Sequence, residues 1–419
     1  MVLKTLDKIK NRKKTSKMNR FAKTCFLKIC DEFTHGQLTL QDLEGTYEFG
    51  DSNAETKITM KVLSPDFYNH VLSYGENGLA ESYIEGLWTC DDLTLLLQIG
   101  IQNLSATEKM NSMQSKAISY LFKLDHQKNK NSRVGSRRNI SAHYDLGNEF
   151  FKLFLDPTLT YSCGMFNTNT QNMKDASIRK IDVLCRKLDL KVTDHLIEIG
   201  SGWGAFCIHA AKEYGCKVTT TTISENQYNF VVRLVKENNL EDKITILKQD
   251  YRDLTGQYDK LVSVEMIEAV GHEFMGEYFE KCSSLLKPNG LMAIQAITIQ
   301  DQNYHQARKN IDFIKRYVFP GSCLPSNQIM LEHVQKRTDL SLRDCQDIGQ
   351  DYATTLKLWH QNFMKNVEKI KALGLNEDFI RLWKYYFSYC EAGFRERHSS
   401  AVQLLLSKPL HKQAVKRVG

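Results

Sequence analysis

A chain of 419 residues, 42% hydrophobic and 25% charged, has the composition of a soluble protein with a sizeable core, and its length predicts two or three domains. No stretch approaches the roughly 20 apolar residues needed to cross a bilayer, and the first residues lack the apolar segment and cleavage site of a secretory signal. Eleven cysteines are scattered without a C-x-x-C pair, which argues against a disulfide framework or a metal site and for reduced thiols in the cytoplasm.

The formal net charge of +7 is unevenly distributed along the chain. The first thirty residues contain ten Lys or Arg and a single acid, Asp7, and a second basic cluster, "HQKNKNSRVGSRR", occupies 126–138. Such clusters are either solvated linker charge or a surface that attracts an anionic partner. Because no recognisable nucleic-acid-binding motif accompanies them, we expect no nucleic-acid partner, and an anionic membrane face fits the charge at least as well.

The first zone of the chain, residues 1–125, mixes short strands with helices. "KITMKVL" at 57–63 is strand-like, whereas "DLTLLLQIGIQNL" at 92–104 is helical. Residues 126–140 are polar, basic and contain Gly and Ser, which is the composition of a linker. The sequence therefore predicts a small α/β accessory domain, a basic linker, and a larger domain over 141–419.

From residue 141 onward, strands alternate with helices, which is typical of a largely parallel sheet covered on both faces. The clearest unit runs from "HLIEI" through a glycine loop and the helical "AFCIHAAKEYG" to the β-branched "CKVTTTT". "PNG" at 288–290 is predicted to form the turn before the last strand. The predicted strands are residues 195–199, 216–222, 243–247, 259–265 and 291–299.

The glycine loop directly follows the first of these strands and has the spacing Gly200-x-Gly202-x-Gly204. Glycine there permits positive φ angles and lets a ligand approach the backbone near helix N-terminal amides, although a bare strand-to-helix turn would use the same residues. The spacing is not the dinucleotide G-x-G-x-x-G, and a phosphate-binding loop is excluded because GK[ST] is absent. With Glu198 before the loop and "KQDYRDL" after the third strand, the unit resembles the S-adenosyl-L-methionine site of class I methyltransferases.

Several long motifs are distributed over most of the chain. They are "SPDFYNHVLSYGENGLAESYIEGLW" (64–88), "HYDLGNEFFKLFLDPTLTYSCGMF" (143–166), "LIEIGSGWG" (196–204), "TTISENQ" (221–227), "QDYRDL" (249–254), "VSVEMIEAVG" (262–271), "RYVFPGSCLPS" (316–326), "DYATTLKLWHQNF" (351–363) and "CEAGFRER" (390–397). Together they resemble the cyclopropane-fatty-acyl-phospholipid synthase family over nearly all of residues 60–407. The resemblance implies a Rossmann-like class I methyltransferase fold, with a mixed, mostly parallel seven-stranded sheet and a small N-terminal α/β domain.

The resemblance also implies which residues bind the cofactor. Glu198 is implied to contact the amino acid part of S-adenosylmethionine, and the Asp-Tyr-Arg segment after the third strand to flank the adenine. Tyr161 and Ser162, which would otherwise suit a capped turn, are implied to lie against the carboxylate and amino end of the cofactor. The implied cofactor-binding residues are Tyr161, Ser162, Glu198, Gly200, Gly202, Thr222, Ile223, Gln227, Asp250, Tyr251 and Arg252.

One detail departs from the commonest methyltransferase pattern. Thr222 and Ile223 stand where an acidic ligand of the ribose is often found. Either Gln227, one turn into the next helix, or a water molecule is expected to take part in that contact.

The family's reaction transfers a methylene to an alkene in a phospholipid acyl chain. The alkene attacks the sulfonium methyl, and the resulting carbocation loses a proton from the new methyl group as the ring closes. A poor nucleophile needs positioning and exclusion of water, and a cation needs anions or π-faces nearby. A bound bicarbonate ion is understood to accept the proton in this family. Its cradle, carried over by motif, is Cys163, Glu268, the backbone near Ile297, and Tyr352.

Gln295 is a departure, because the best-known members have histidine there as part of the bicarbonate site. Glutamine can donate to and accept from an anion, but it cannot shuttle a proton as imidazole can. The leading hypothesis is a cyclopropane fatty acid synthase. A methyltransferase that leaves a methylene or methyl branch stays open, as does a catalytically decayed lipid-binding protein. Head-group preference, double-bond position and the choice between monomer and homodimer also stay open.

The proposed catalytic residues have other interpretations. Cys163 in "YSCGMF" suggests a nucleophile, but methyl transfer to an alkene needs no covalent enzyme intermediate, so it is better interpreted as one wall of an anion pocket. Glu268 suits a solvated acid at a helix start and Tyr352 suits ordinary core. The apolar strand before Glu268, however, places that residue at the carboxyl edge of the sheet, where ligands bind in such folds.

An acyl chain that is already esterified in a bilayer predicts peripheral association with the inner face of the membrane. The two basic segments would attract an anionic leaflet by about 1 kcal/mol per Lys or Arg near the surface. Apolar helices such as 92–104 either contribute burial at the lipid interface or pack between the domains. Residues 300–326, within an insertion at about 300–335, are expected to cover the acyl pocket.

Overall fold

The computed structural model describes residues 16–112, 131, 135–136, 146–168 and 172–414. The basic residues of the first fifteen positions and most of the predicted linker lie outside this described part. The chain divides into two compact units, each built from separated segments. Unit 1 comprises Met1–Lys128, Ile311–Pro320 and Trp359–His398, and unit 2 comprises Asn129–Asn310, Gly321–Leu358 and Ser399–Gly419. The domain boundaries expected from the sequence stay a prediction.

The described elements follow one another in this order along the chain. The helices are α1 (Ser16–Cys30), α2 (Asp66–Tyr74), α3 (Glu76–Ile84), α4 (Leu93–Gln102), α5 (Leu104–Ser112), α6 (Asn148–Phe151), α7 (Met173–Lys187), α8 (Ala205–Glu213), α9 (Glu225–Glu237), α10 (Met275–Ser284), α11 (Tyr304–Ala307), α12 (Asn327–Arg337), α13 (Gly349–Lys365), α14 (Val367–Ala372) and α15 (Glu377–Arg395). The strands are β1 (Gln37–Asp42), β2 (Gly45–Gly50), β3 (Lys57–Val62), β4 (Trp88–Cys90), β5 (His195–Ile199), β6 (Lys217–Thr221), β7 (Ile244–Leu247), β8 (Tyr258–Val264), β9 (Leu286–Ile299), β10 (Ser341–Asp347) and β11 (Ser399–Ser407).

Unit 1 contains a four-stranded sheet in the order β2-β1-β3-β4. β1 pairs antiparallel with β2 and parallel with β3, and β3 pairs antiparallel with β4. Edge-to-face contacts join Phe67 to Phe26, Tyr68 and Trp88, all of them buried. These aromatic rings supply much of the apolar burial that holds the helices of this unit on its sheet.

Unit 2 contains a seven-stranded sheet in the order β10-β11-β9-β8-β5-β6-β7. Strands β5 to β9 are mutually parallel, whereas β11 runs antiparallel to both β9 and β10. Neighbouring residues of β5, Leu196 and Ile197, pack into two different hydrophobic clusters, as expected for a strand covered on both faces. The prediction of a mixed, mostly parallel seven-stranded sheet is confirmed.

Most of the predicted strands appear within a residue or two of their expected bounds, and the strand at 195–199 appears with the same bounds. The turn predicted at 288–290 is wrong, because these residues lie within β9. Tyr258 pairs with Leu286 and Lys260 with Leu291. β9 therefore accommodates Pro-Asn-Gly as a bulge in its ladder with β8.

None of the helices in the described part of the chain combines the length and the apolar character that a membrane span requires. The longest of them, α15, carries charged residues at both ends.

Candidate active site

The glycine loop connects β5 to α8 at the carboxyl edge of the sheet. Gly200, Gly202 and Gly204 all have positive φ angles, of 95°, 49° and 91°. A Cβ atom on Gly204 would lie 3.3 Å from Val231, whereas one on Gly202 would meet no atom of the described residues within 4 Å. Gly204 is therefore required by packing, and Gly202 borders open space in which a ligand can approach the backbone.

Glu198 is buried on β5 just before this loop. Its Oε2 accepts a 2.6 Å hydrogen bond from the hydroxyl of Thr220, the residue directly paired with it on β6. Burial raises the pKa of Glu198 to about 8, against the effects of the Thr220 hydrogen bond and the Lys180 charge. The strand pairing fixes the position of this carboxyl group; its contact with the amino acid part of the cofactor stays a prediction.

The predicted ribose-contacting residues lie where β6 ends and α9 begins. The Thr222 hydroxyl donates to the side-chain oxygen of Gln227 at 2.9 Å. Ser224 caps α9 by accepting a hydrogen bond from the Gln227 backbone N–H. Both Thr222 and Gln227 are buried, and Ile223 is half-buried. The cap thus holds the Gln227 side chain at the end of β6, close to the glycine loop that follows the neighbouring strand.

The segment predicted to flank the adenine is held by an internal ion pair. Asp250 and Arg252 are both buried, and the guanidinium donates to the carboxylate from Nε at 2.9 Å and from Nη2 at 2.7 Å. The Arg252 guanidinium also lies over the rings of Tyr251 and Phe274. This arrangement gives the short turn after β7 a fixed shape.

Tyr161 and Ser162 occupy different surroundings, although they are adjacent in sequence. The Tyr161 ring packs against Phe151, and Phe151 in turn packs against Trp203 of the glycine loop. The Ser162 hydroxyl accepts a 2.8 Å hydrogen bond from the buried ammonium group of Lys180. The "YSCGMF" segment is thereby joined by packing to the glycine loop.

Lys180 on α7 is a buried charged residue that the sequence analysis missed. Burial lowers its pKa, against the attraction of several carboxylates, of which Glu265 contributes most. The sequence feature that could have indicated a buried charge is a lysine on the buried face of an amphipathic helix. The same pattern is common, however, where the lysine side chain extends its ammonium group to solvent.

The Cys163 thiol is not activated. It is fully buried, and Sγ lies 3.1 Å from its acceptor, the Gly164 carbonyl oxygen. Burial, with the nearby charges of Glu265 and Asp351, raises the pKa of the thiol well above its ordinary value. The backbone N–H of Cys163, by contrast, donates to Oε1 of Glu265 at 2.9 Å. Cys163 therefore contributes a backbone donor at this site.

Glu265 is the acceptor on which several of the predicted catalytic residues converge. Besides the Cys163 backbone, the side-chain nitrogen of Gln295 donates to Oε1 at 2.7 Å and the Tyr352 hydroxyl donates to Oε2 at 2.6 Å. Glu265 directly follows β8 and has a left-handed backbone conformation, with φ at 50°. The sequence analysis missed it, although an acid at the carboxyl end of an apolar strand was a usable signal.

Glu268 lies three residues later, in the short 3₁₀ turn Ile267–Ala269. Its Oε1 accepts the backbone N–H of Ile297 at 2.5 Å, while Oε2 is buried and has no hydrogen-bond partner in the described part of the protein. Burial, reinforced by the charge of Glu265, raises the pKa of Glu268 to about 8.

The residues predicted to form one anion cradle thus fall into two groups around two carboxyl groups. Cys163, Gln295 and Tyr352 donate to Glu265, whereas Ile297 donates to Glu268. The two groups belong to one site, because both carboxyl groups come from the same turn after β8. A Cβ on Gly200 would lie 3.3 Å from Met266 in that turn, so the turn packs against the glycine loop.

The Gln295 amide is oriented by a second glutamine. Gln403 on β11 pairs directly with Gln295 on β9, and its Nε2 donates to Oε1 of Gln295 at 2.9 Å. Since the Gln295 oxygen accepts from Gln403, its nitrogen points to Glu265. Gln403 was not identified from the sequence, because a polar residue in an otherwise apolar strand does not show which residue its side chain will contact.

The site has the features that a cationic cofactor requires. Open space at Gly202 admits a ligand beside the loop, and the unpartnered oxygen of Glu268 provides an acceptor in a buried setting. The carboxyl groups of the half-buried Glu265 and the buried Glu268 favour positive charge between the turn and the loop. These observations fit a sulfonium ligand.

Sequence comparison identifies relatives over most of the chain. Residues 131–404 match the sequence profile of the family described as mycolic acid cyclopropane synthetase. The tuberculostearic acid methyltransferase of Mycobacterium tuberculosis is 36% identical over 343 residues, covering 80% of this chain and 79% of that protein. The cyclopropane-fatty-acyl-phospholipid synthase of Escherichia coli K12 is 33% identical over 361 residues, covering 85% of this chain and 89% of that protein.

A solved structure shows a similar fold. A mycolic acid cyclopropane synthase in complex with S-adenosylhomocysteine and CTAB superposes with a TM-score of 0.61 and 31% identity. The superposition covers 65% of this chain and 98% of that one.

Proposed function

Because the chain belongs to the family of cyclopropane-fatty-acyl-phospholipid synthases and mycolic acid cyclopropane synthetases, and is an S-adenosylmethionine-dependent C-methyltransferase, we propose that it is a cyclopropane fatty acid synthase. Its substrate would be the cis double bond of an unsaturated acyl chain in a membrane phospholipid. The relative from Escherichia coli is named for fatty acyl phospholipids, which supports this substrate class.

One structural observation supports the proposal in addition to family membership. Two carboxyl groups, those of the half-buried Glu265 and the buried Glu268, lie close together after β8, where the chain packs against the glycine loop. S-adenosylmethionine, when bound, supplies an electrophilic methyl group on a positively charged sulfur. Attack by an alkene leaves positive charge on the substrate, and buried carboxylates stabilise such charge more strongly than water does. The turn is therefore suited to carbocation chemistry.

The surrounding residues suit a reaction that must exclude water. The rings of Phe150, Phe151 and Phe154 pack on one another and are fully buried, and Tyr161 and Trp203 extend this cluster to the glycine loop. An apolar wall beside the cofactor loop keeps water from intercepting a carbocation. Aromatic faces also interact favourably with a cation.

The cofactor contacts follow the sequence predictions. We propose that Gly200 and Gly202 contact the amino acid part of S-adenosylmethionine with Glu198, Tyr161 and Ser162. The ribose would lie at the end of β6, and the adenine would lie against the turn after β7. The proposed ribose and adenine contacts are Thr222, Ile223, Gln227, Asp250, Tyr251 and Arg252.

Bicarbonate as the proton acceptor stays a prediction. Its proposed cradle of Cys163, Glu268, Gln295, Ile297 and Tyr352 lies in one region of unit 2, but three of these residues already donate to Glu265. The position of Glu265 therefore affects which group accepts the proton, a bound bicarbonate ion or the Glu265 carboxylate.

A methylene- or methyl-branched product is the second candidate. It is supported by the relative from Mycobacterium tuberculosis, which is named a methyltransferase and not a cyclopropane synthase. The same carbocation precedes both kinds of product, so the choice depends on how the cation is positioned and deprotonated.

The membrane partner also stays a proposal. We expect the protein to act at the inner face of the membrane through the basic segments, which lie largely outside the described residues. The insertion at about 300–335 would cover the acyl chain. A homodimer is compatible with this arrangement but is not required by it.

The decisive experiment is expression of the full chain in a host that lacks cyclopropane lipids, followed by analysis of the phospholipid acyl chains. We expect a mass increase corresponding to one CH₂ and a cyclopropane ring in the NMR spectrum. Because ring and methylene products have the same mass, NMR or ozonolysis must distinguish them. Unchanged lipids in the presence of folded protein would overturn the proposal. Failure to bind S-adenosylmethionine by calorimetry would favour the decayed lipid-binding alternative.

A further inference from the structure

We propose that the carboxylate of Glu265 is the proton acceptor of the reaction, so that the chain itself provides the anion that the sequence analysis assigned to bicarbonate. This inference rests on the proposed function, because it assigns a residue to the deprotonation step of that reaction. It is carried by the convergence of three donors on one half-buried side-chain carboxylate.

The three donors come from three separate parts of unit 2. The Cys163 backbone N–H belongs to the "YSCGMF" segment, Gln295 to β9, and the Tyr352 hydroxyl to α13; their hydrogen bonds to Glu265 measure 2.9, 2.7 and 2.6 Å. The family resemblance implies that these residues surround a small planar anion, the bicarbonate ion. A carboxylate has the same O–C–O geometry, and in this protein the Glu265 side chain fills the place among them.

The hydrogen bonds leave one oxygen of Glu265 able to accept a proton. Oε1 receives two donors, the Cys163 N–H and the Gln295 amide, as many as a carboxylate oxygen has lone pairs. Among the described residues, Oε2 receives one donor, the Tyr352 hydroxyl. One lone pair on Oε2 therefore stays available, and Oε2 is the atom we assign as the acceptor.

The surroundings keep this carboxylate basic. Burial raises the pKa of Glu265 above its ordinary value, while the hydrogen bonds from Tyr352, Cys163 and Gln295 oppose that rise. Because Gln295 cannot exchange a proton, it serves as a positioning residue, and Gln403 fixes the direction of its amide.

The step balances without a further reactant. The π electrons of the alkene form a bond to the methyl carbon as the methyl–sulfur bond breaks, with its electrons staying on sulfur. One C–H bond of the transferred methyl group then breaks, and its electron pair closes the ring on the cationic carbon. The proton passes to Oε2 of Glu265 and is released to solvent before the next turnover.

Glu265 also disfavours a bicarbonate ion among the same donors. The three donors are already engaged by one anion, and a second anion within contact distance would raise the energy of both by like-charge repulsion. The unmodified protein should therefore not need bicarbonate.

The first test uses the wild-type protein with vesicles of a cis-unsaturated phospholipid and measures release of S-adenosylhomocysteine. We expect equal rates in buffer freed of carbon dioxide and in buffer with added bicarbonate. A rate that depends strongly on bicarbonate would overturn the assignment of Glu265. No turnover in either buffer would instead contradict the proposed function, so the two failures are distinguishable.

The second test compares two variants of Glu265. Glu265→Gln keeps the size of the side chain but removes the charge, and it should lower kcat by about 10²–10⁴-fold, the usual contribution of a general base. Glu265→Gly removes the carboxylate and suits the left-handed backbone at this position. Its lost activity should be restored in part by added bicarbonate, which the wild-type protein does not require.

Two controls separate this role from a structural one. S-adenosylmethionine affinity, measured by calorimetry, should be nearly unchanged in Glu265→Gly, which also shows that the variant folds. Glu280→Gln makes the same chemical change at an exposed position of α10 and should leave turnover unchanged. Wild-type turnover in Glu265→Gln would overturn the proposal.

Discussion

The Cys163 residue illustrates how a backbone and a side chain at one position can have separate roles. Its thiol is fully buried and directed at carbonyl oxygens, while its N–H donates to a carboxylate. A hydroxyl of similar size can replace the thiol without altering that N–H.

Cys163→Ser should therefore keep substantial activity. The backbone donor is retained, and the serine hydroxyl can donate to the Gly164 carbonyl as the thiol does. Glu268→Ala, by contrast, should leave very little, because it removes a buried carboxyl group and leaves the Ile297 N–H unpaired. Initial rates of S-adenosylhomocysteine release measure both. A Cys163→Ser variant as inactive as protein-free vesicles would restore the nucleophile interpretation.

At the scale of single residues, the sequence predicted the donors of this site but missed their acceptor. Cys163 and Tyr352 lie in motifs that resemble the family, and Gln295 stands where the best-known members have histidine. Glu265 stands only three residues from Glu268 in the same motif, and composition does not tell which of two nearby acids turns toward which donors. The left-handed conformation of Glu265 decides this, and such a conformation is rarely predictable for a residue other than glycine.

The glycine loop is the element in which a packing requirement and a binding requirement can be separated. Gly202 and Gly204 share a left-handed backbone, but only Gly204 lies against other side chains. Substitution by alanine should thus have different consequences at the two positions.

Gly202→Ala should weaken S-adenosylmethionine binding while costing about 1 kcal/mol of stability, since alanine is strained at positive φ. Gly204→Ala should cost more stability, because its methyl group would also press on Val231. Gly374→Ala is the matched control: its φ is 85° and its Cβ would meet nothing within 4 Å, so it should lose stability without losing affinity. Calorimetry and urea unfolding measure the two effects. Equal affinity in Gly202→Ala and wild-type protein would contradict the prediction.

Burial explains the outcome for β5, β8 and β10, although β11 is buried too and was not among the predicted strands. The parallel strands β5 and β8 are largely buried and rich in apolar residues, and both were predicted within a residue of their bounds. β10 was not, because its sequence "SLRDCQD" is largely exposed and polar, so neither an apolar run nor a clean alternation marks it as a strand.

At the scale of the whole molecule, the basic N-terminal segment is the feature most suited to membrane attachment. Its first fifteen residues lie outside the described structure, so their role rests on charge alone. Six of the ten basic residues in the first thirty lie in this part, together with a single acid, Asp7, and anionic lipids attract such segments without requiring a fixed conformation.

Neutralising Lys10, Arg12, Lys13 and Lys14 together should weaken binding to anionic vesicles by about 1 kcal/mol for each charge that lies near the surface. The salt dependence of binding should fall as well, because fewer ions are displaced or screened. Cosedimentation with anionic and with neutral vesicles measures both. Unchanged affinity and unchanged salt dependence would refute this docking role. The matched control neutralises four exposed lysines elsewhere, Lys57, Lys61, Lys212 and Lys236.

The position of β11 in the sheet has a consequence for biosynthesis. Residues 399–407 lie between β9 and β10 and pair with both, although they are translated a hundred residues after β9. Until the ribosome has added them, the edge of β9 that carries Gln295 has no neighbour. Long-range pairing of this kind is slow, and an open apolar edge invites aggregation. Newly made chains should therefore depend on chaperones late in synthesis, and the hydrogen bond from Gln403 that orients Gln295 forms only when β11 is in place.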